Sequence, residues 1–147
     1  MSYTVTVDET TNVVTVASPE TDVVSVAAEG PQGARYVSPR GVTVESPSQT
    51  ENVTMLYLDS AMTITAIRSL LSGSSTPSVT FSLRYAANRG ATGTEVVTGG
   101  ITCTNTTTGL NTTSFNSASI PAGNWLWLTT TAVSGTVDAL HVSIFFS

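Results

Sequence analysis

Alternation of apolar and polar residues runs through most of this sequence and predicts a chain built from β-strands. The clearest case is the segment 79–85, in which Val, Phe, Leu and Tyr alternate with Thr, Ser and Arg, the period of a half-buried strand. β-Branched residues at 63–65 favour a strand at 62–68 over the short helix that this segment also permits. Further strand-like runs occur at 3–7, 13–16, 23–26, 42–44, 53–58, 101–104, 125–130 and 140–146.

Segments rich in Gly, Pro and Ser separate these runs and predict turns, among them 73–77 and 134–136. About seven or eight short strands therefore follow residue 52, with no convincing helix. This spacing predicts an all-β fold, an antiparallel β-sandwich with a jelly-roll-like arrangement. The segment 125–128 is apolar on both faces, so we expect its strand to be central or to lie at a subunit contact.

The chain is predicted to have three parts. Residues 1–29 hold three short runs rich in Val and Thr, which predict an extended N-terminal arm with short β-strands. Residues 30–51 contain several Gly and Pro residues and are predicted to form a hinge and linker. Residues 52–147 are predicted to form the β-sandwich knob. Because a few short strands are marginal alone and present open edges, we expect the arm to pair with another chain.

Composition and charge narrow the classes of function. Charged residues make up 10% of the 147 residues, against about 25% in ordinary domains, and about 46 residues are Ser or Thr, with no Lys. The net charge of −5 argues against nucleic acid as a partner. Apolar runs are far shorter than the ~20 residues of a membrane helix. The alternation at 3–7 predicts a strand rather than a secretory signal, so we expect neither a membrane partner nor export by that route.

Residues suited to catalysis are scarce. The single histidine, His141, is expected at an outward-facing position of the last strand, and the single cysteine, Cys103, as a small buried apolar group. No nucleophile elbow, phosphate loop or zinc constellation is present in the sequence. We therefore predict no catalytic residue, no cofactor and no metal site, and we expect the protein not to be an enzyme.

Aromatic residues of the main domain permit two interpretations. They would form a platform for stacking a sugar ring, or they would fill the core or a subunit interface, which is the interpretation we favour. A sugar site would also need polar neighbours. The aromatic candidates are Tyr57, Tyr85, Trp125 and Trp127, and the polar candidates are Arg84 and Asn124.

Two parts of the sequence resemble tailed-phage virion proteins. The segments 3–8 and 13–16 followed by Gly-Pro-Gln-Gly at 30–33 resemble a leader that commonly precedes a collagen-like stretch in such proteins, often in fibres. The segments 76–85, 121–128 and 140–145 resemble a β-sandwich found at their ends. Here the collagen-like repeat is a single triplet, so no long shaft is expected. An arm and knob without a shaft resemble a capsid decoration, or cement, protein.

The resemblance implies a non-enzymatic homotrimer on the capsid surface of the virion, made in the host cytoplasm. Its partners would be further copies of itself and the major capsid protein, which the arm would contact. The alternative is a tail or fibre-tip protein that binds a host glycan. The expected capsid-contact positions of the arm are Tyr3, Val5, Val7, Val14 and Val16, and the expected core or trimer-interface residues are Trp125, Trp127 and Phe145.

Overall fold

The computed structural model of the chain describes two short strands near the N-terminus and the segment 39–147. The chain divides into two compact units, Met1–Arg35 and Tyr36–Ser147. Three features predicted from the sequence lie outside the described residues: Tyr3, the strand-like run 23–26, and the hinge residues 30–38.

The described part of the first unit is an antiparallel pair of strands. Strand β1 (Thr4–Asp8) pairs with strand β2 (Val13–Ala17), with Thr4 opposite Ala17 and Asp8 opposite Val13. The strands coincide with the alternating runs at 3–7 and 13–16, so these two strand predictions are confirmed.

The second unit is built entirely from strands over the residues that the structure describes. All pairings between its strands are antiparallel. The prediction of an all-β antiparallel fold is therefore confirmed, whereas the sandwich and its jelly-roll-like arrangement stay predictions. The strands are β3 (Arg40–Glu45), β4 (Asn52–Leu58), β5 (Met62–Ala86), β6 (Thr94–Glu95), β7 (Ile101–Cys103), β8 (Leu110–Thr112), β9 (Ser119–Ile120) and β10 (Asn124–Phe146).

Two long strands, β5 and β10, form the centre of a sheet of eight strands. They pair with each other from Ile64 opposite Phe146 to Ala86 opposite Trp125. Along its other side, β10 pairs with β4 near its start and with β3 near its end, while β5 pairs with the short strands β6, β7, β8 and β9. The apolar segment 125–128 therefore lies in a central strand, the first of the two positions expected for it.

Two turns predicted within this region were wrong, because 73–77 lies inside β5 and 134–136 lies inside β10. The pairing of the two strands continues on either side of these segments, with a shift of register between Ser134 and Thr136. Ser75 and Thr76 have φ of 57° and 56°, and Gly135 has φ of 70°. A Cβ on Gly135 would lie 2.6 Å from the carbonyl oxygens of both Ser75 and Thr76, so the close approach of the two strands requires glycine there.

The hydrophobic core is one cluster of buried side chains contributed by both ends of the long strands. It includes Val44 of β3, a strand that lies within the range predicted as hinge and linker and belongs to the sheet of the second unit. Cys103 is fully buried in the same cluster, as the sequence predicted. The long strands supply Ile64, Ile67, Leu71, Val79, Phe81, Leu83, Leu126, Leu128, Leu140, Val142, Ile144 and Phe146.

Candidate functional site

Strand β10 carries its two tryptophans on one face. Trp125 and Trp127 alternate with Leu126 and Leu128, which are buried in the core, and successive side chains of a strand point to opposite faces. The tryptophans therefore lie on the outer face of the sheet. Their environments differ, because Trp127 is 2% exposed and Trp125 is 37% exposed.

A loop of the same chain covers Trp127. This covering loop, residues 87–93, joins β5 to β6 and places the guanidinium carbon of Arg89 4.6 Å from the centre of the Trp127 ring. At its end, Gly93 has φ of 72°, and a Cβ there would lie 2.6 Å from Cζ2 of Trp127. Trp127 is thus buried beneath its own chain, outside the main core cluster.

Arg89 is also fixed to strand β4. Its Nε donates a hydrogen bond to Oγ1 of Thr54 at 2.8 Å. Its Nη2 donates to the carbonyl oxygen of Asn52 at 3.5 Å and to the side-chain Oδ1 of the same residue. These bonds and the stacking on Trp127 hold the guanidinium in one orientation.

An exposed aromatic pair lies beside this arrangement. Tyr57 of β4 is opposite Trp125 of β10, with ring centres 4.9 Å apart and ring planes inclined by 57°. The two side chains are 52% and 37% exposed, and they are the exposed large hydrophobic side chains of the described residues. Such rings offer apolar faces to a ligand while the surrounding surface stays polar.

An open hollow of about 520 Å³ adjoins the exposed ring of Trp125. The covering loop forms one wall and strand β4 contributes another residue. Its lining combines an aromatic face, a hydroxyl, an amide and a guanidinium. We call it the aromatic hollow, and it is lined by Thr54, Ala87, Asn88, Arg89 and Trp125.

Several residues predicted from the sequence as candidates for a sugar site make other contacts in the structure. Tyr85 packs against the core, and Arg84 forms an ion pair with Glu95, Nη2 to Oε1, at 2.5 Å. The side-chain amide of Asn124 donates to the carbonyl oxygens of residues 121 and 122. Of the sequence candidates, the structure brings together only Tyr57 and Trp125 at the exposed surface.

Three residues that line the aromatic hollow were not predicted from the sequence as site residues: Thr54, Asn88 and Arg89. Thr54 lies in a predicted strand, and the other two lie in a predicted loop, where polar residues are ordinary. One signal was present for Arg89: the segment 84–94 contains no acidic residue to pair with it. Its position over Trp127 depends on how the covering loop packs against β10, and no local sequence pattern predicts that packing.

The candidates for capsid and subunit contact are distributed over both units. The arm residues of the described strands are on β1 and β2. Phe145 is half-buried, with the guanidinium carbon of Arg68 5.5 Å from its ring centre. Lattice contact by Val5, Val7, Val14 and Val16, and a core or trimer role for Trp125, Trp127 and Phe145, stay predictions.

His141 lies half-buried between two hydroxyl side chains. Its Nδ1 is 3.0 Å from Oγ1 of Thr43, and its Nε2 is 3.4 Å from Oγ of Ser72. A second hollow of about 250 Å³ adjoins it, with Arg68 as another lining residue. Within the described part of the chain, no three His, Cys, Asp or Glu residues lie close enough to hold a metal ion.

Comparison with known protein families, characterised proteins and solved structures finds no match to this chain. The resemblance to phage virion proteins therefore stays a prediction. In the residues that the structure describes, no helix is long and apolar enough to cross a membrane.

Proposed function

We propose that this protein is a non-enzymatic virion structural protein. It would decorate a phage capsid as a homotrimer and stabilise contacts between major capsid proteins. The observation that supports this proposal best is a two-stranded sheet, β1–β2, in a unit of its own at the N-terminus. Within the described residues each of these strands pairs only with the other, which leaves one edge of each strand for a further strand.

Addition of a strand from a neighbouring chain is the physical basis of the proposed capsid contact. A two-stranded hairpin is marginally stable alone, and an added strand from a neighbouring chain would supply backbone hydrogen bonds. The second unit, with its own hydrophobic core, would serve as the body of each subunit. Many copies on one lattice add their affinities, so each contact needs only modest strength.

The proposal is tested with the full-length chain carrying Val14→Pro. Proline removes an N–H and is not tolerated inside a paired strand, whereas the control Val14→Thr keeps a β-branched residue. We expect Val14→Pro to bind undecorated phage heads at least about tenfold more weakly, a loss of about 1.4 kcal/mol, as measured by sedimentation of protein with heads. Equal decoration by the proline variant would contradict a role for the hairpin.

A shorter chain tests the arm as a whole. Deletion of residues 1–29 is expected to leave trimers, seen by light scattering after size exclusion, that no longer decorate heads. A full-length protein that is monomeric by the same measurement would count against a homotrimer.

A second candidate function is glycan binding by a tail or fibre-tip protein. The exposed pair of Tyr57 and Trp125 beside the aromatic hollow favours it, because exposed rings offer a stacking surface for a sugar. A glycan array with the wild-type protein and Trp125→Ala tests it. We expect binding by the wild type and its loss in the variant; an array without signal for the wild type would exclude this function.

A further inference from the structure

The aromatic hollow carries an unbalanced charge. Of its five lining residues, Arg89 is cationic and none is acidic. The ion pair found among the described residues is that of Arg84 with Glu95. Arg89 instead donates to the neutral oxygens of Thr54 and Asn52. Arg89 has no acidic partner among the described residues, so its fixed positive charge attracts an anionic ligand.

Arg89 does more than cover the ring of Trp127. Its guanidinium also brings several hydrogen-bond donors in a fixed plane. Two of its nitrogens, Nε and Nη2, are used by β4. Nη1 has no hydrogen-bond partner in the described part of the chain, so the geometry leaves it available to an acceptor outside the protein.

Two further lining residues have donors to spare. Oδ1 of Asn88 accepts a hydrogen bond from the backbone N–H of Gly90 at 2.9 Å, which fixes the amide and leaves its NH₂ group without a partner among the described residues. Oγ1 of Thr54 accepts from Arg89, so its own proton remains to be donated. The polar groups of the hollow therefore offer hydrogen-bond donors, which suits an oxygen-rich anion.

We propose that the aromatic hollow binds an acidic saccharide. The sugar ring would stack on Trp125 beside Tyr57, and its carboxylate would accept hydrogen bonds from Nη1 of Arg89. The amide of Asn88 and the hydroxyl of Thr54 would bind neighbouring sugar oxygens. This inference rests on the second candidate function and adds the ligand class to it.

Paired ligands that differ in the carboxylate test the inference. An oligogalacturonate and its carboxyl-reduced form represent uronic acids, and sialyllactose and lactose represent sialic acids. Affinity is measured by calorimetry on the full-length protein at low and high salt. We expect the acid of at least one pair to bind about tenfold to hundredfold more tightly than its neutral partner, with the preference reduced at high salt.

Variants assign the preference to Arg89. Arg89→Gln should abolish the preference for the acidic ligand, so that the two ligands of a pair bind with equal affinity, while Arg89→Lys should retain part of the preference because it keeps the charge. Arg68→Gln removes an equal charge beside Phe145, on residues that do not line the hollow, and should change nothing. Unfolding midpoints confirm that each variant is folded, and Arg89→Lys keeps the test valid if Arg89→Gln does not fold.

The outcomes separate the inference from the function on which it rests. Equal binding of acidic and neutral sugars that is lost in Trp125→Ala would overturn the acidic preference and retain glycan binding. A preference that survives in Arg89→Gln would overturn the assignment to Arg89. If none of the four ligands binds, the inference is overturned. If the glycan array still shows binding of the wild-type protein to neutral glycans, the second candidate function is retained.

Discussion

The guanidinium of Arg89 stacks on the ring of Trp127, with 4.6 Å between the guanidinium carbon and the ring centre. This contact links the covering loop to the central strand, and it explains why one tryptophan is buried while its neighbour on the same face is exposed. It also orients the cation that adjoins Trp125 in the aromatic hollow. One contact therefore contributes to stability and to the proposed binding site.

Replacing each tryptophan by alanine should separate these contributions. Trp127→Ala is expected to lower the free energy of unfolding by about 3–5 kcal/mol, because a buried aromatic residue leaves a large cavity. Trp125→Ala should cost about 1 kcal/mol or less, as expected for a more exposed position. Urea denaturation followed by circular dichroism measures both, and equal losses would contradict the burial of Trp127 by the covering loop.

Glycine at position 93 is expected to be required for that burial. Gly93→Ala introduces a side chain at φ of 72° and brings its Cβ against Trp127 and within 3.1 Å of the Tyr85 carbonyl oxygen. Gly99→Ala is the matched control, since Gly99 has φ of 81° and no atom within 4 Å of the added Cβ. We expect a loss of about 1 kcal/mol for Gly99→Ala from backbone strain and about 2–4 kcal/mol for Gly93→Ala from strain and overpacking. Similar unfolding midpoints for the two variants would count against the close packing.

Removal of two buried hydroxyl groups should have different effects on the free energy of unfolding. Oγ1 of Thr130 donates to the carbonyl oxygen of Ser48 at 2.5 Å and accepts from the backbone N–H of Glu51 at 2.9 Å. Thr130→Val should therefore cost about 1 kcal/mol, because the carbonyl oxygen of Ser48 and the N–H of Glu51 lose a partly buried hydrogen-bond partner. Oγ of Ser69 has no partner among the described residues, so Ser69→Ala should cost nothing or stabilise by about 1 kcal/mol. Denaturant unfolding of both variants tests this, and a large loss for Ser69→Ala would show that its hydroxyl has a partner.

The carboxylate of Glu51 should make stability depend on pH. Hydrogen bonds from the hydroxyl of Ser48 at 2.6 Å and from its backbone N–H at 3.0 Å hold the pKa of Glu51 below its ordinary value of 4.5. Because the pKa is lower in the folded state, this stabilisation is present above the ordinary pKa and is lost as the pH falls through the folded-state value. Ser48→Ala should raise the pKa of Glu51 toward 4.5, the ordinary value, as followed by NMR titration. It should also weaken the acid dependence of unfolding, and an unchanged titration would contradict the role of Ser48.

The irregular segments within the long strands show where sequence patterns reach their limit. Gly, Ser and Pro at 73–77 favour a departure from regular strand, and Ser75 and Thr76 do have positive φ there. Whether the chain reverses direction at 73–77 or continues as one strand depends on the segment 134–136, which lies opposite in β10. Since that pairing joins residues far apart in the sequence, a local pattern predicts that the backbone is irregular at this segment. It does not predict whether the chain turns there.

Local patterns along the chain were enough to predict an all-β protein, the positions of several strands and the burial of Cys103. These properties follow from the alternation of neighbouring side chains and from β-branched composition, which act within a few residues. The burial of Trp127, the exposure of Trp125 and the place of Arg89 in the hollow depend instead on contacts between distant parts of the chain. Both tryptophans occupy the same face of one strand, so the difference arises from a loop that is distant in sequence and packs over one of them.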